Sequence, residues 1–294
     1  MKPPKHVPGP WSTPQVFFLP NLMTAGNLAC GFSAIVFIFE GMRATDGDTA
    51  RLFYYAIFAI LGACLFDALD GRMARIRGQE SMFGREFDSL ADIVSFGIAP
   101  ALLVMDIVTG EFNSKLGWGV AFIYLLCGGM RLARFNCLSQ EESEGRLEPN
   151  HRDFVGFPIP AAAGLIATLT MLLLFLNGED KAIGFWKYLL LALMLLLSFL
   201  MLSEFRYPSF KRVDWRSRRS LIGLFVVIMT CVLAVLFYEV VPFFIFMAYL
   251  TYGLMRPRIS MKWQKKIEEG PEVEFENELS EVVSSESDDD ESVA

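Results

Sequence analysis

Apolar residues in this chain come in long blocks separated by short polar crossings, unlike the alternating or short amphipathic runs of a water-soluble fold. The blocks run over Leu19–Phe39, Phe53–Leu69, Leu90–Val108, Leu116–Phe135, Ile159–Leu176, Phe185–Leu202, Leu221–Phe237 and Val240–Met255. A bilayer core of about 30 Å takes about 20 helical residues to cross, so the pattern predicts an all-α, polytopic membrane bundle of about eight transmembrane helices. Several blocks are short for a full crossing, and only Tyr238 and Glu239 separate the last two. If those two form a single tight hairpin, the count falls to six or seven. Three regions follow: an N-terminal segment 1–18, a transmembrane body 19–258 and a polar tail 259–294.

Composition agrees with the pattern, since 53% of the 294 residues are hydrophobic. The formal charge of -7 misleads, because twelve of the 33 acidic residues lie beyond Lys266, where no Lys or Arg occurs. Without that stretch the chain carries 26 basic and 21 acidic residues. Such a mildly basic membrane body suits anionic phosphates and lipid head groups; no nucleic-acid partner is expected. The tail ends in Ser284–Ser292, rich in Ser and Asp, where like-charge repulsion predicts disorder and no catalytic part.

Cationic side chains set the orientation. With the N-terminus cytoplasmic, 21 of the 26 Lys and Arg residues fall on the inner side, among them the Arg72–Arg85 crossing and Arg131 to Arg152. The positive-inside rule then places both termini in the cytoplasm. Met1–Pro14 is too rich in proline for a cleavable signal, so the first span is expected to stay. Cys30, Cys64, Cys127, Cys137 and Cys231 are scattered through apolar stretches without a C-x-x-C pair, and the only histidines are His6 and His151. A disulfide framework, a zinc site and imidazole-centred chemistry are therefore not indicated.

Against this background Asp67, Asp70, Asp88 and Asp92 stand out, because ionised carboxylates at a membrane boundary are costly unless they face a metal, a partner or water. Positions three or four apart share a helix face. Asp67, Asp70, Gly71 and Ala74 line one stripe at the end of the second span, and Asp88 and Asp92 line another at the start of the third. Two helices joined by a short crossing would bring the four acids together, and oxygen-only ligands favour hard cations such as Mg²⁺ or Mn²⁺. Gly71, Ala74 and Gly84 leave space beside the acids, and Arg75 can give multidentate contacts to phosphate. Asn21 either helps start the first helix or joins Thr24 and Asn27 in hydrogen-bonding a nucleotide or phosphate. Arg131 and Arg134 are either membrane anchors or a recognition face for an anionic group.

The segment Asp67-x-x-Asp70-Gly71-x-x-Ala74-Arg75-x8-Gly84-x3-Asp88-x3-Asp92 fixes eight positions across 26 residues. It resembles, without departure, the motif of the CDP-alcohol phosphatidyltransferase family. Further stretches, Pro20 to Asn27, Arg131-Leu-Ala-Arg134-Phe-Asn136 with Gly156-Phe-Pro-Ile-Pro160, and Arg206-Tyr-Pro-Ser-Phe-Lys211, are similar to the serine-accepting branch of that family. The resemblance implies transfer of a phosphatidyl group from CDP-diacylglycerol to L-serine within membrane lipid, with release of CMP. It implies two Mg²⁺ or Mn²⁺ ions held by Asp67, Asp70 and Asp88, with Asp92 as general base and possible ligand of the second ion. It also implies contacts to the CDP group from Asn21, Thr24, Asn27, Gly71, Ala74, Arg75, Ser81 and Gly84, and to serine from Arg131, Arg134 and Asn136. A homodimer in a bacterial inner membrane is the corresponding expectation. Glycerol 3-phosphate, inositol phosphate or choline as acceptor, and an ether-linked lipid, stay open. A divalent-cation transporter is the alternative from another class, although transport sites usually lie near the membrane midplane.

Overall fold

The computed structural model describes residues 18–44, 48–77, 82–109, 114–143, 154–177, 184–203, 206–207, 229–230 and 232–255. The N-terminal segment up to residue 17, Ser81 and the tail 259–294 lie outside the described residues, as does most of the block Leu221–Phe237. Among the described residues the chain forms α1 (Phe18–Arg43), α2 (Asp48–Arg77), α3 (Met82–Asp92), a π-helical turn (Ile93–Ile98), α4 (Ala99–Thr109), α5 (Ser114–Ser143), α6 (Ile159–Leu176), α7 (Lys187–Leu202) and α8 (Val241–Met255). The protein is an all-α polytopic membrane protein.

Among the described residues five stretches are long and apolar enough to cross a membrane: Asn21–Arg43, Asp48–Gly71, Met82–Ile107, Lys115–Glu141 and Ile159–Leu176; α7 and α8 are apolar but shorter. Seven of the eight expected spans thus appear as apolar helices. Residues 232–236 are helical and turn into α8 through 237–240, where the N–H groups of Val240 and Val241 both donate to the carbonyl of Phe237.

The helices outrun their apolar blocks, and this positions the site. The block Phe53–Leu69 lies within α2, which continues to Arg77, and the block starting at Leu90 belongs to a helix that begins at Met82. Hydropathy marks where a helix leaves apolar surroundings, whereas backbone hydrogen bonding carries it onward through residues such as Arg85, Glu86 and Asp88. The acids consequently ride on continuous helix instead of on loops.

Around the site end, close approach of helices depends on small side chains. α1 and α2 pack along their length, and a Cβ added at Gly26 would sit 2.8 Å from the Phe66 ring. α6 is apolar on all sides and correspondingly buried, packed against α2, the π turn, α4, α7 and α8. Its Gly164 lies beneath the Phe246 ring of α8, where a side chain would collide. Cys64 Sγ donates to the carbonyl of Pro160 at 3.4 Å, tying α2 to the first turn of α6.

The approach to α6 is also stapled. Phe154–Val155 (β1) pairs antiparallel with Arg206–Tyr207 (β2), a ladder of two residues that leaves the fold class all-α. Phe157 N–H donates to the carbonyl of Leu200 at 3.1 Å, and Pro158, with ψ 134°, brings the extended chain into the helix. Pro160 sits in the first turn, where its missing N–H costs nothing. The two prolines thus shape the helix start.

Gly156 has φ +87°, and a Cβ there would strike the Met201 carbonyl. Gly156→Ala should therefore lower the thermal unfolding midpoint in detergent, the backbone strain alone costing about 1–3 kcal/mol. Gly119→Ala, where a Cβ meets nothing within 4 Å, should leave the midpoint unchanged or raised.

Candidate active site

At one end of the bundle, α2 presents Asp67 and Asp70 while α3 presents Asp88 and Asp92. Asp67, Asp88 and Asp92 each offer a carboxylate oxygen, and the three oxygens lie within 4.8 Å of one another. Asp70 is not in this group: it is 7% exposed and accepts a hydrogen bond from the Thr24 hydroxyl. The sequence expectation of one four-acid cage thus resolves into a cluster of three with Asp70 beside it.

α1 forms the floor. Thr24 and Asn27, three residues apart, share the face turned to the acids, and both are buried. Asn27 Nδ2 donates to Asp92 Oδ1 at 3.0 Å. These two side chains, which the sequence reading set against the CDP group, each bond to an acid, Thr24 to Asp70 and Asn27 to Asp92. Asn21, one turn earlier, is half-buried, Gly71 is exposed and Gly84 is half-buried. Ala74 and Arg75 belong to α2, but their side chains lie outside the described residues, as does Ser81.

α5 closes the site from the other side. Arg131 is 9% exposed, and its Nε has no hydrogen-bond partner among the described residues. Asp92, Asp67 and Tyr249 lie within its electrostatic reach. Arg134, by contrast, is exposed. Asn136 binds α3: its Nδ2 donates to Ser89 Oγ at 3.0 Å and to Glu86 Oε1 at 3.5 Å, and its Oδ1 accepts from Ser89 at 3.3 Å. Its amide thus braces the acid-bearing helix.

Three ionised carboxylates this close repel one another by roughly 3 kcal/mol per pair at an effective dielectric of about 20. Three such pairs approach the whole net stability of a typical domain, about 5–15 kcal/mol. Asn27 and Arg131 offset part of that repulsion, and a cation among the three oxygens would offset the rest. All three donors are hard oxygens, so the residues present fit a divalent cation of the Mg²⁺ or Mn²⁺ kind.

Tyr249 was not anticipated from the sequence, since it lies in the last apolar block without a motif around it. The structure sets its ring against Phe157, with centroids 5.7 Å apart. Ser95 and Tyr124 were also missed, as hydroxyls inside apolar blocks; the available signal was Pro100 within the third block.

A family model described as CDP-alcohol phosphatidyltransferase matches residues 17–200, which hold the four aspartates, the α1 floor and Arg131. A Helicobacter pylori (strain ATCC 700392 / 26695) protein named CDP-diacylglycerol–serine O-phosphatidyltransferase is 34% identical over 245 residues, covering 82% of this chain and 91% of its own. A Methanocaldococcus jannaschii protein of the same name is 36% identical over 174 residues, 59% of this chain and 70% of its own. A Saccharomyces cerevisiae protein of that name is 37% identical over 136 residues, 46% of this chain and 48% of its own.

Asn27→Ala should weaken binding of Mn²⁺ to the cluster by about 10- to 100-fold, the usual cost of losing a group that orients a ligand. Titration followed by electron paramagnetic resonance checks this, with Asp67→Asn as the variant that removes a donor outright.

Proposed function

The chain belongs to the CDP-alcohol phosphatidyltransferase family, and we propose that it moves the phosphatidyl group of CDP-diacylglycerol onto the hydroxyl of L-serine, forming phosphatidylserine and releasing CMP. The observation that carries this reading is the three-carboxylate cluster with the buried Arg131 guanidinium beside it. The acceptor is supported by the names of the relatives from a bacterium, an archaeon and a yeast.

Asp67, Asp70 and Asp88 would hold two divalent ions, Mg²⁺ or Mn²⁺, with Asp92 available to the second. The chemistry such ions would supply is neutralisation of the pyrophosphate oxygens and the departing CMP. Asp92 takes the proton of the serine hydroxyl as the new O–P bond forms and the P–O bond to CMP breaks. Asn27 holds the Asp92 carboxylate by its 3.0 Å hydrogen bond, so the base need not search for its geometry during the reaction. Thr24 does the same for Asp70. Asn21, Gly71, Ala74, Arg75, Ser81 and Gly84 surround the CDP group, and Arg131 receives the serine carboxylate. Acyl chains stay in the bilayer between spans.

The protein functions as a homodimer in a bacterial inner membrane, with the site and both termini cytoplasmic. The 21 basic residues on the inner side support the orientation. Residues 19–258 form the catalytic body, and the acidic tail stays outside the chemistry.

CMP release by the purified protein tests the reading, with CDP-diacylglycerol, Mn²⁺ or Mg²⁺, and L-serine, glycerol 3-phosphate, inositol phosphate or choline in turn. Release with L-serine alone, abolished by EDTA, is expected; release with another acceptor overturns the serine assignment, and metal flux into proteoliposomes without CMP favours a transporter. Asp92→Asn should cut turnover by about 100-fold or more while CDP-diacylglycerol binding persists, and unchanged turnover removes Asp92 as base. Arg131→Lys should raise the KM for L-serine by roughly tenfold, because an ammonium cannot reproduce the planar fork that a carboxylate fits.

A further inference from the structure

Directly after Asp92 the helix widens into the π turn Ile93–Ile98, in which Ala99 N–H donates to the carbonyl of Val94, five residues back. Single π turns inside α-helices are uncommon and gather at functional sites. One extra residue in a turn rotates everything beyond it by about 100° relative to an uninterrupted α-helix. Here that rotation lets Asp88 and Asp92 face the acid cluster while Ala99, Leu103, Val104 and Ile107 still reach the core.

Pro100 helps to explain why the turn lies here. It stands in the first turn of α4 and has no N–H to give to the carbonyl of Phe96, four residues earlier. In apolar surroundings a carbonyl without a donor is costly. Tyr124, fully buried on α5, supplies one: its hydroxyl donates to the Phe96 carbonyl at 3.0 Å.

A second strut meets the turn from α1. Ser95 Oγ donates to the backbone carbonyl of Asn27 at 3.0 Å, and Asn27 Nδ2 in turn donates to Asp92 Oδ1 at 3.0 Å. Gly31, one turn beyond Asn27, lies so close to Ser95 that any side chain there would collide with it. The π turn is therefore held from two sides, by α5 through Tyr124 and by α1 through Ser95. Asn27 belongs to the α1 strut and to the Asp92 hydrogen bond at once.

We infer that Tyr124 and Ser95 are positioning residues for the transfer reaction, holding the π turn so that Asp92 is presented to the acceptor hydroxyl in a fixed direction. This rests on the reading of Asp92 as base. Neither residue is given a contact to substrate. The Tyr124 hydroxyl acts through the Phe96 carbonyl, and Ser95 acts through the Asn27 backbone. Such a role affects the chemical step more than binding, because the groups that hold CDP and the serine carboxylate lie elsewhere.

The test is steady-state kinetics on the full-length protein carrying Tyr124→Phe, which removes a single oxygen. Folding is followed by thermal unfolding and gel filtration, so that activity is counted per folded protein. kcat should fall by roughly 10- to 100-fold, the scale of a small misplacement of a reacting group, with KM for CDP-diacylglycerol and L-serine within about twofold of the parent. Pro100→Ala, which gives Phe96 a helix donor of its own, supplies the coupling test. Adding Tyr124→Phe to Pro100→Ala should change kcat by no more than about twofold, since residues acting through one shared partner are non-additive. Fully additive losses in the double variant would overturn the inference. So would an unchanged kcat for Tyr124→Phe, or a loss confined to KM. Asp92→Asn separates the two levels: turnover retained there defeats the reading of Asp92 as base, whereas turnover lost there but kept in Tyr124→Phe defeats the positioning role alone.

Discussion

Like charge in a poorly polarisable setting is the constraint on which this protein turns. Asp67, Asp88 and Asp92 bring carboxylate oxygens within 4.8 Å of one another at the end of an apolar bundle, an arrangement that opposes folding unless positive charge and hydrogen-bond donors surround it. The neighbouring structure supplies both. Asn27 donates to Asp92, Thr24 donates to Asp70, and the Arg131 guanidinium is held in the interior nearby. A hard divalent cation would complete the balance, and the same charge is what a pyrophosphate-bearing substrate would require.

Holding these groups in place takes rigid elements, and the chain provides them by running helices beyond their apolar blocks. α2 and α3 carry the acids on continuous helix, while α1 comes close enough to support them because Gly26 admits the Phe66 ring and Gly31 admits Ser95. On the far side, Asn136 clasps Ser89 and Glu86 of α3. The buried α6 lies behind the π turn and α2, so displacement of the site would require repacking a helix that is apolar on all sides.

Much of this was legible in the chain. The 67–92 spacing identifies the acids because helical periodicity converts sequence separation directly into a shared face, and the apolar blocks locate the spans because a bilayer core has a fixed thickness. The direction of Asp70 was not legible: it depends on how closely α1 and α2 approach, which is decided by Gly26 meeting Phe66 across 40 residues of chain. Helix ends were misplaced for a related reason, since the blocks record hydropathy while α3 begins eight residues before its block, at Met82. Tyr249 reaches the Arg131 neighbourhood only through the packing of α8 on α6, for which no local pattern exists. Pro100 did carry information about the π turn, but its meaning depended on Tyr124 lying opposite, on another helix.

The central claim is that Asp67 and Asp88 bind the cation that meets the substrate phosphates, with Asp92 beside them as the base. The most direct measurement is anomalous scattering from crystals of the protein grown with Mn²⁺ and CDP-diacylglycerol. The account predicts an anomalous peak bonded to oxygens of Asp67 and Asp88 and to the pyrophosphate. A peak elsewhere, or substrate bound with no metal among the three acids, would contradict it.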